Sequence, residues 1–371
     1  MEKLIVIDGN SILNRAFYGI MGSKMLQTAD GTYTNAVYGF LNIMFKIIED
    51  ENPAYLVVAF DVKAPTKRHE MYADYKGTRK GMPDELAAQM PLIKKVLKAM
   101  NIKIIEKEGF EADDILGTLS RFGEKEGLKV ILLTGDRDSF QLATNQTTIR
   151  IPRTKQGKTE TEDFDEAKIL ETYGVMPEQL IEVKGLQGDT SDNIPGVPGI
   201  GEKTALNLIK QYHSIDELYE KLEKGETNLK GKQKENIENN KEMAILSRKL
   251  GMIDVNSPIE KNLEEFKVEP WDKPVVLELF KELRFKRFIE RFALENMESK
   301  TEKKIEDLFK LVEIMPQELV QKLKIQREMN YFFQTEKDEN ALIINDLPVE
   351  TQEKNNQNKC LCKRRKKGLS S

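Results

Sequence analysis

Residues 4–8 read LIVID, and the same shape returns at 55–61 as YLVVAFD and at 130–136 as VILLTGD. Each is a short apolar run that ends on an aspartate: Asp8, Asp61 and Asp136. Runs that are apolar at every position mark strands buried on both faces, as a parallel sheet requires. A fourth run, Ile102–Ile105, leads into Glu111-Ala112-Asp113-Asp114. Helical periodicity fills the gaps at Asn35–Glu51, Asp84–Met100 and Ala112–Glu126. The alternation predicts an α/β fold, a mostly parallel sheet flanked by helices. In such sheets ligands gather outside the carboxyl ends of the strands, so these acids are expected to face one crevice.

Beyond the strands, 165–250 reads as mainly helical around a Gly/Pro-rich stretch, Asn193–Gly201, with a charged helical segment at Lys221–Lys249. Helix signals continue through Trp271–Phe292 and Asp307–Gln326, and Tyr331–Phe333 and Ala341–Ile344 are short strand candidates. The boundaries expected are 1–164, 165–292, 300–350 and a disordered basic tail, 351–371, with six basic residues from Lys359 to Lys367. At 371 residues and 39% hydrophobic, the chain has material for a core, and no apolar run is long enough to span a bilayer. Both cysteines, Cys360 and Cys362, lie near the end, which excludes a disulfide framework and fits a reducing cytoplasm. With two histidines, chemistry falls to carboxylates, lysines or metal ions.

Asp138 follows Asp136 in GDRD, and Asp189 and Asp192 close the set in GDTSD. Singly, each acid has a plain reading: Asp113 and Asp114 favour a helix N-terminus, Asp192 caps one, and Asp138 sits in a solvated turn. Together with Asp8, Asp61, Glu111, Asp136 and Asp189 they make nine, and nine like charges cannot share a small region unless some protonate or cations hold them. An all-carboxylate donor set favours Mg²⁺ or Mn²⁺, two or more ions, over zinc. Two such ions clamp a phosphodiester for in-line attack by water. The net charge is −4, and setting the nine acids aside leaves +5 for the rest, so overall acidity does not exclude a nucleic-acid substrate.

Lys63–Lys80 interleaves basic residues with Tyr72 and Tyr75, which suits contact with single strands as well as it suits a solvated face over packed tyrosines. Gly196-Val197-Pro198-Gly199-Ile200-Gly201-Glu202-Lys203-Thr204 precedes a helix. It has the pattern of a helix-hairpin-helix, whose backbone amides grip duplex phosphates, and also of a plain tight turn. It is not a P-loop, because Glu202 separates Gly201 from Lys203 and no strand precedes it.

The stretches IDGNSILNRAFYG, VAFDVKAPTKRHEMYADYKGTRKGMP, EGFEADDILGTL, LLTGDRDSFQL and GDTSDNIPGVPGIGEKTA, taken in order, are similar to the 5′-nuclease (flap endonuclease) superfamily. The branch most resembled is the 5′→3′ exonuclease region at the N-terminus of bacterial DNA polymerase I. The resemblance covers Met1 to about Phe292. It implies a PIN-like domain with a helical arch and a helix-hairpin-helix, and it puts all nine acids on metal-site positions. It also implies that Tyr75, Lys76 and Arg79 form the arch's Tyr-Lys-x-x-Arg, with the basic pair steering the scissile phosphate. Arg68 falls on a further DNA-facing arch position, and the hairpin residues Gly196, Gly199, Ile200, Gly201, Lys203 and Thr204 would bind the duplex, with K⁺. Lys67 stands where relatives carry an aromatic. Lys184-Gly185 replaces the more usual small apolar pair, and glycine there is expected to weaken a helix end without touching a ligand. The implied function is a monomeric, cytoplasmic nuclease acting on 5′ flaps, nicked duplexes and RNA primer ends, with no membrane partner. Residues 300–350 resemble the opening of the following 3′→5′ exonuclease-like domain, as in a stand-alone exonuclease or a shortened polymerase. The competing readings are a non-catalytic duplex-binding module and a PIN-type ribonuclease. The nine acids argue against the first and the hairpin against the second.

Overall fold

The computed structural model describes residues 1–19, 26–155, 158–295, 331–336 and 339–344. Met1–Phe292 forms one compact unit and Ala293–Ser371 a second. In the first, a sheet contains β1 (Lys3–Asp8), β2 (Tyr55–Ala59), β3 (Lys103–Ile105), β4 (Lys129–Leu133), β5 (Thr147–Lys155) and β6 (Lys158–Phe164). Their order is β3-β2-β1-β4-β5-β6. The first five are parallel, with Leu4 opposite Tyr55 on one side and Val130 on the other, and β6 returns antiparallel to β5. Leu4, Ile5, Val6 and Ile7 are all fully buried, so β1 is covered on both faces, as its unbroken apolar run requires.

Four strands fall where the apolar runs place them. The β5–β6 hairpin was not visible in the sequence. Ile149 and Ile151 point into the core, but Arg150 interrupts them and Pro152 follows. Arg150 is buried because Asp163 at 2.6 Å and Glu51 at 2.7 Å neutralise it. Pro152 lies beyond Arg150, the last β5 residue in register with β4, so its missing N–H costs that ladder nothing.

Helix Asn35–Glu51 keeps its expected bounds and ends at Asn52, whose left-handed backbone sends its N–H to the Ile48 carbonyl. The helical stretch expected at Asp84–Met100 breaks into Asp84–Ala87 and Gln89–Ala99. The segment 221–249 is likewise cut: Ile215–Glu223, Gly231–Asn239 and Lys241–Gly251 are separate helices. Positive φ at Gly225 and Gly231 turns the chain between the first two. These helices, with Leu180–Gln187 and Glu202–Tyr212, close over their own core of Val197, Ile200, Ile209, Leu218 and Ile237.

In the arch segment, the backbone forms a short helix, Lys67–Met71, followed by turns through residue 78. In the second unit, Tyr331–Glu336 and Glu339–Ile344 pair as an antiparallel hairpin. The helix expected over Asp307–Gln326 and the basic tail lie outside the described residues.

Candidate metal centre

The strand order reverses between β1 and β4, and the acids gather at that switch point. Asp8 is the last residue of β1, and its carboxylate accepts from the Ser11 amide at 2.9 Å and the Thr134 hydroxyl at 2.8 Å. Asp61 follows β2 and accepts from the Ala112 amide at 2.7 Å. Asp113 lies in the first turn of helix Ala112–Lys125, and the Ser139 hydroxyl reaches it at 3.4 Å. Asp136 follows β4 and caps the 3₁₀ turn Arg137–Leu142, accepting from the Asp138 amide at 2.9 Å. Asp138, Asp189 and Asp192 each bring a carboxylate oxygen to within 4.8 Å of the others.

Electrostatics show how crowded the cluster is. Burial pushes the Asp8 carboxyl up to about 7; the Ser11 and Thr134 hydrogen bonds oppose this, while Asp61 and Asp136 add to it. Burial raises Asp113 well above the usual range, with help from Asp136 and Asp8. Asp61 remains exposed at its surface, yet surrounding protein raises its carboxyl, opposed by the Ala112 amide and the charge of Lys76. Burial lifts Asp138 to about 6 against the pull of Lys184. Asp8, Asp61 and Asp113 form no ion pair among the described residues. Their donor set is carboxylate oxygen throughout, which fits hard divalent ions. His69 is engaged elsewhere, against the Thr66 hydroxyl that caps the short arch helix.

Glu111 and Asp114 stand differently. Glu111 accepts from Lys76 at 2.8 Å and from the Tyr75 hydroxyl at 3.2 Å. Asp114 is clasped by both ends of the Arg68 guanidinium, at 2.7 and 2.8 Å, and also accepts from the amides of Glu111 and Asp254. Burial would raise Asp114, but Arg68 outweighs it and holds the carboxyl below its ordinary value. Asp114 is therefore a buried anchor, not an open ligand.

Arg68 departs from its expected DNA-facing place for the same reason. It is 7% exposed and its donors go to Asp114, Glu111 and the carbonyls of Leu250 and Met252. Tyr75 is also buried, with its hydroxyl between Glu111 and Asp192, so it cannot stack on a base. Lys76 and Arg79 remain partly or largely exposed. Lys76 adopts a left-handed backbone (φ 55°), and its amide donates to the Asp192 carbonyl at 2.8 Å. Arg79 pairs with the Asp192 carboxylate. Lys67 lies 4.1 Å over the Phe110 ring.

The glycine-rich hairpin divides likewise. Gly196 (φ 62°) is buried, and a Cβ there would lie 2.3 Å from the Gly188 nitrogen. Ile200 is a core residue, 4% exposed. Gly199, Gly201 and Lys203 are exposed and Thr204 is half-buried at the start of helix Glu202–Tyr212, which has no side-chain cap. Gly201 has φ −91° and open space around it, so the fold itself does not require glycine there.

Lys184 reaches two of the predicted ligands: its ammonium pairs with Asp138 and with Asp189 at 2.8 Å. Gly185 is a packing glycine, since a Cβ would lie 2.6 Å from Ile215 and 2.9 Å from Arg248. Sequence reading missed Ser11 and Thr134, which hold the Asp8 carboxylate, Ser139, which reaches Asp113, and Asn10, whose side-chain oxygen accepts from the Asp61 backbone amide at 3.1 Å. Ser11 also accepts from the Gly135 amide at 2.9 Å, tying β1's end to β4's.

A mostly parallel sheet with carboxylates crowded at its switch point offers an oxygen donor set suited to hard divalent ions. Residues 3–174 match the family model for the 5′-3′ exonuclease N-terminal, resolvase-like domain, and residues 175–274 match that for its C-terminal SAM fold. The chain is 42% identical over 308 residues to DNA polymerase I of Bacillus subtilis, which covers 83% of this chain and 34% of that protein. Among solved structures it is similar to bacteriophage T5 5′-exonuclease with bound zinc (TM-score 0.56, 18% identity), over 76% of this chain and 100% of that one. It is also similar to the catalytic core of Rad2 in complex with DNA substrate (TM-score 0.51, 15% identity), over 76% of this chain and 87% of that one. The chain belongs to the 5′-3′ exonuclease family. It spans about a third of the length of the curated relatives it matches.

Proposed function

We propose that the chain is a divalent-metal-dependent 5′ nuclease that hydrolyses phosphodiester bonds at 5′ flaps, nicks and RNA primer ends in replication and repair. The observation that carries this reading is that Asp8, Asp61, Asp113 and Asp136, from four separate elements, are near enough for Asp61 and Asp136 to raise the Asp8 carboxyl and for Asp136 and Asp8 to raise that of Asp113. Those four acids, with Asp138, Asp189 and Asp192, would hold Mg²⁺ or Mn²⁺. Bound ions would neutralise the scissile phosphate and lower the pKa of the attacking water.

The protein's own residues do the rest. Thr134 and Ser11 orient Asp8, and the Ala112 amide orients Asp61, so the donors are fixed before substrate arrives. Lys76 and Arg79 project from the arch into the same crevice, where their charges steer a phosphate; on substrate arrival they would exchange Glu111 and Asp192 for it. Tyr75 and Arg68 hold the arch against helix Ala112–Lys125 and serve as positioning residues. The exposed amides of the hairpin around Gly199–Lys203 would grip a duplex phosphate, with a monovalent cation such as K⁺. Residues 1–164 would then be the catalytic part and 165–292 the duplex-binding part of a monomer working in the cytoplasm.

A 5′-labelled flap duplex, incubated with Mg²⁺, with EDTA, and beside single-stranded RNA, tests the reading. Metal-dependent release of short 5′ fragments from the flap is expected. Binding without cleavage, or cleavage of RNA alone, would contradict it.

A further inference from the structure

Lys184 has no part in the function proposed above, yet it lies at the centre of the outer acids. It comes from the last turn of helix Leu180–Gln187, and its side chain is 8% exposed. Its stem runs past Gly251, where a Cβ would lie 2.9 Å from Lys184 Cδ and 3.3 Å from Cγ. Gln141 lines the same passage: its amide donates to the carbonyls of Gly251 at 3.0 Å and Asp138 at 3.1 Å, and its oxygen accepts from the Ile253 amide at 3.0 Å. The stem is thus confined, and the ammonium is delivered between Asp138 and Asp189. These are two of the three acids whose oxygens converge within 4.8 Å. Asp192, the third, is already paired with Arg79.

An ammonium and a divalent ion cannot occupy one pair of carboxylate oxygens, because each repels the other while competing for the same lone pairs. We propose that Lys184 is a tethered cation that occupies the outer half of the carboxylate crevice and competes with a second divalent ion for Asp138 and Asp189. The proposal rests on the reading of the cluster as a metal centre. It makes outer-ion binding conditional: the ion must displace Lys184, whereas the inner acids Asp8, Asp61, Asp113 and Asp136 form no ion pair among the described residues. Lys184 thereby sets the divalent-ion concentration at which the centre becomes fully loaded.

The test is Mn²⁺ binding to the full chain without DNA, with free ion followed by electron paramagnetic resonance. Lys184→Met removes the charge and keeps an unbranched stem of similar length. Wild type should bind one Mn²⁺ tightly and a second weakly. Lys184→Met should leave the first unchanged and tighten the second by about tenfold or more, the scale expected when a neighbouring like charge is removed. Lys184→Gln should behave the same way in thermal melts, stabilised at lower Mn²⁺ than wild type, and this second variant guards against a folding defect in the first. Equal second-ion affinities in wild type and both variants would overturn the role of Lys184 alone. No Mn²⁺ binding by any of the three would overturn the metal-centre reading beneath it as well.

Discussion

The acids of this chain fall into two regions with opposite electrostatic arrangements. At the strand ends, Asp8, Asp61, Asp113 and Asp136 have neutral hydrogen-bond partners: amides of Ser11, Ala112 and Asp138, and hydroxyls of Thr134 and Ser139. Among the described residues none of the four forms an ion pair. Around them, Glu111, Asp114, Asp138, Asp189 and Asp192 all hold protein cations, namely Lys76, Arg68, Lys184 and Arg79. The carboxyl groups respond accordingly: Asp8 is driven up to about 7, while Lys184 and Ser191 hold Asp189 down at about 2 against the effect of burial. Among the described residues the chain supplies cations to five of the acids and pairs none with the other four. The outer ring is built from the chain's own charges, and the inner one is not.

The sharpest way to break this comparison is to neutralise one member of each region. Asp113→Asn should reduce single-turnover cleavage by about 10³-fold or more, since it removes an electrostatic element of the transition state, while flap affinity holds and the protein stays folded. Asp114→Ala should behave in the opposite way. It leaves Arg68 buried and unpaired, so stability should fall by about 3–5 kcal/mol in denaturant titrations, whatever happens to activity. If Asp113→Asn unfolds the protein and Asp114→Ala does not, the two regions have been assigned the wrong way round.

Lys76→Ala comes next. It should slow single-turnover cleavage by about 10²-fold and change duplex affinity far less, because Lys76 reaches Glu111 at the edge of the inner acids and not the hairpin. A loss confined to affinity would make it a docking charge. Gly201→Val should have the smallest effect and one visible only with substrate. Its φ of −91° and open surroundings predict an unchanged fold. Flap affinity should drop by about tenfold, the scale of one lost charge-assisted hydrogen bond, with little change on a short single strand. Equal losses on both substrates would remove the hairpin's duplex role.

Much of this was legible in the sequence, and the exceptions have physical causes. The strand-end aspartates could be read because a parallel sheet exposes its carboxyl ends on one side, so sequence position fixes spatial position. The β5–β6 hairpin was hidden because Arg150 is buried only through partners at positions 51 and 163, which no local pattern reveals. Arg68 was misread in the same way, and the role of Lys184 was not visible: each has a partner 46 residues away, Asp114 and Asp138, that only the fold brings to it. Ile200 and Gly196 lie inside a motif whose outer face alone is free. Thr134 and Ser11 were available in LLTGD and IDGNS, three residues or fewer from an acid, where a hydroxyl able to orient a carboxylate is a signal that reading for charge passes over.

The central claim is that the inner acids lack the positive charge that divalent ions supply, and thermal melting across pH with and without Mg²⁺ tests it directly. Asp8 has its folded pKa raised from 3.8 to about 7. Its contribution to stability is therefore complete below about pH 4 and is lost as pH rises through about 7. Metal-free protein should melt at a lower temperature at pH 8 than at pH 5.5, and Mg²⁺ should raise the melting temperature at pH 8 much more than at pH 5.5. Asp113→Asn should blunt both effects. A metal-free protein equally stable at the two pH values, and indifferent to Mg²⁺ at either, would contradict the account.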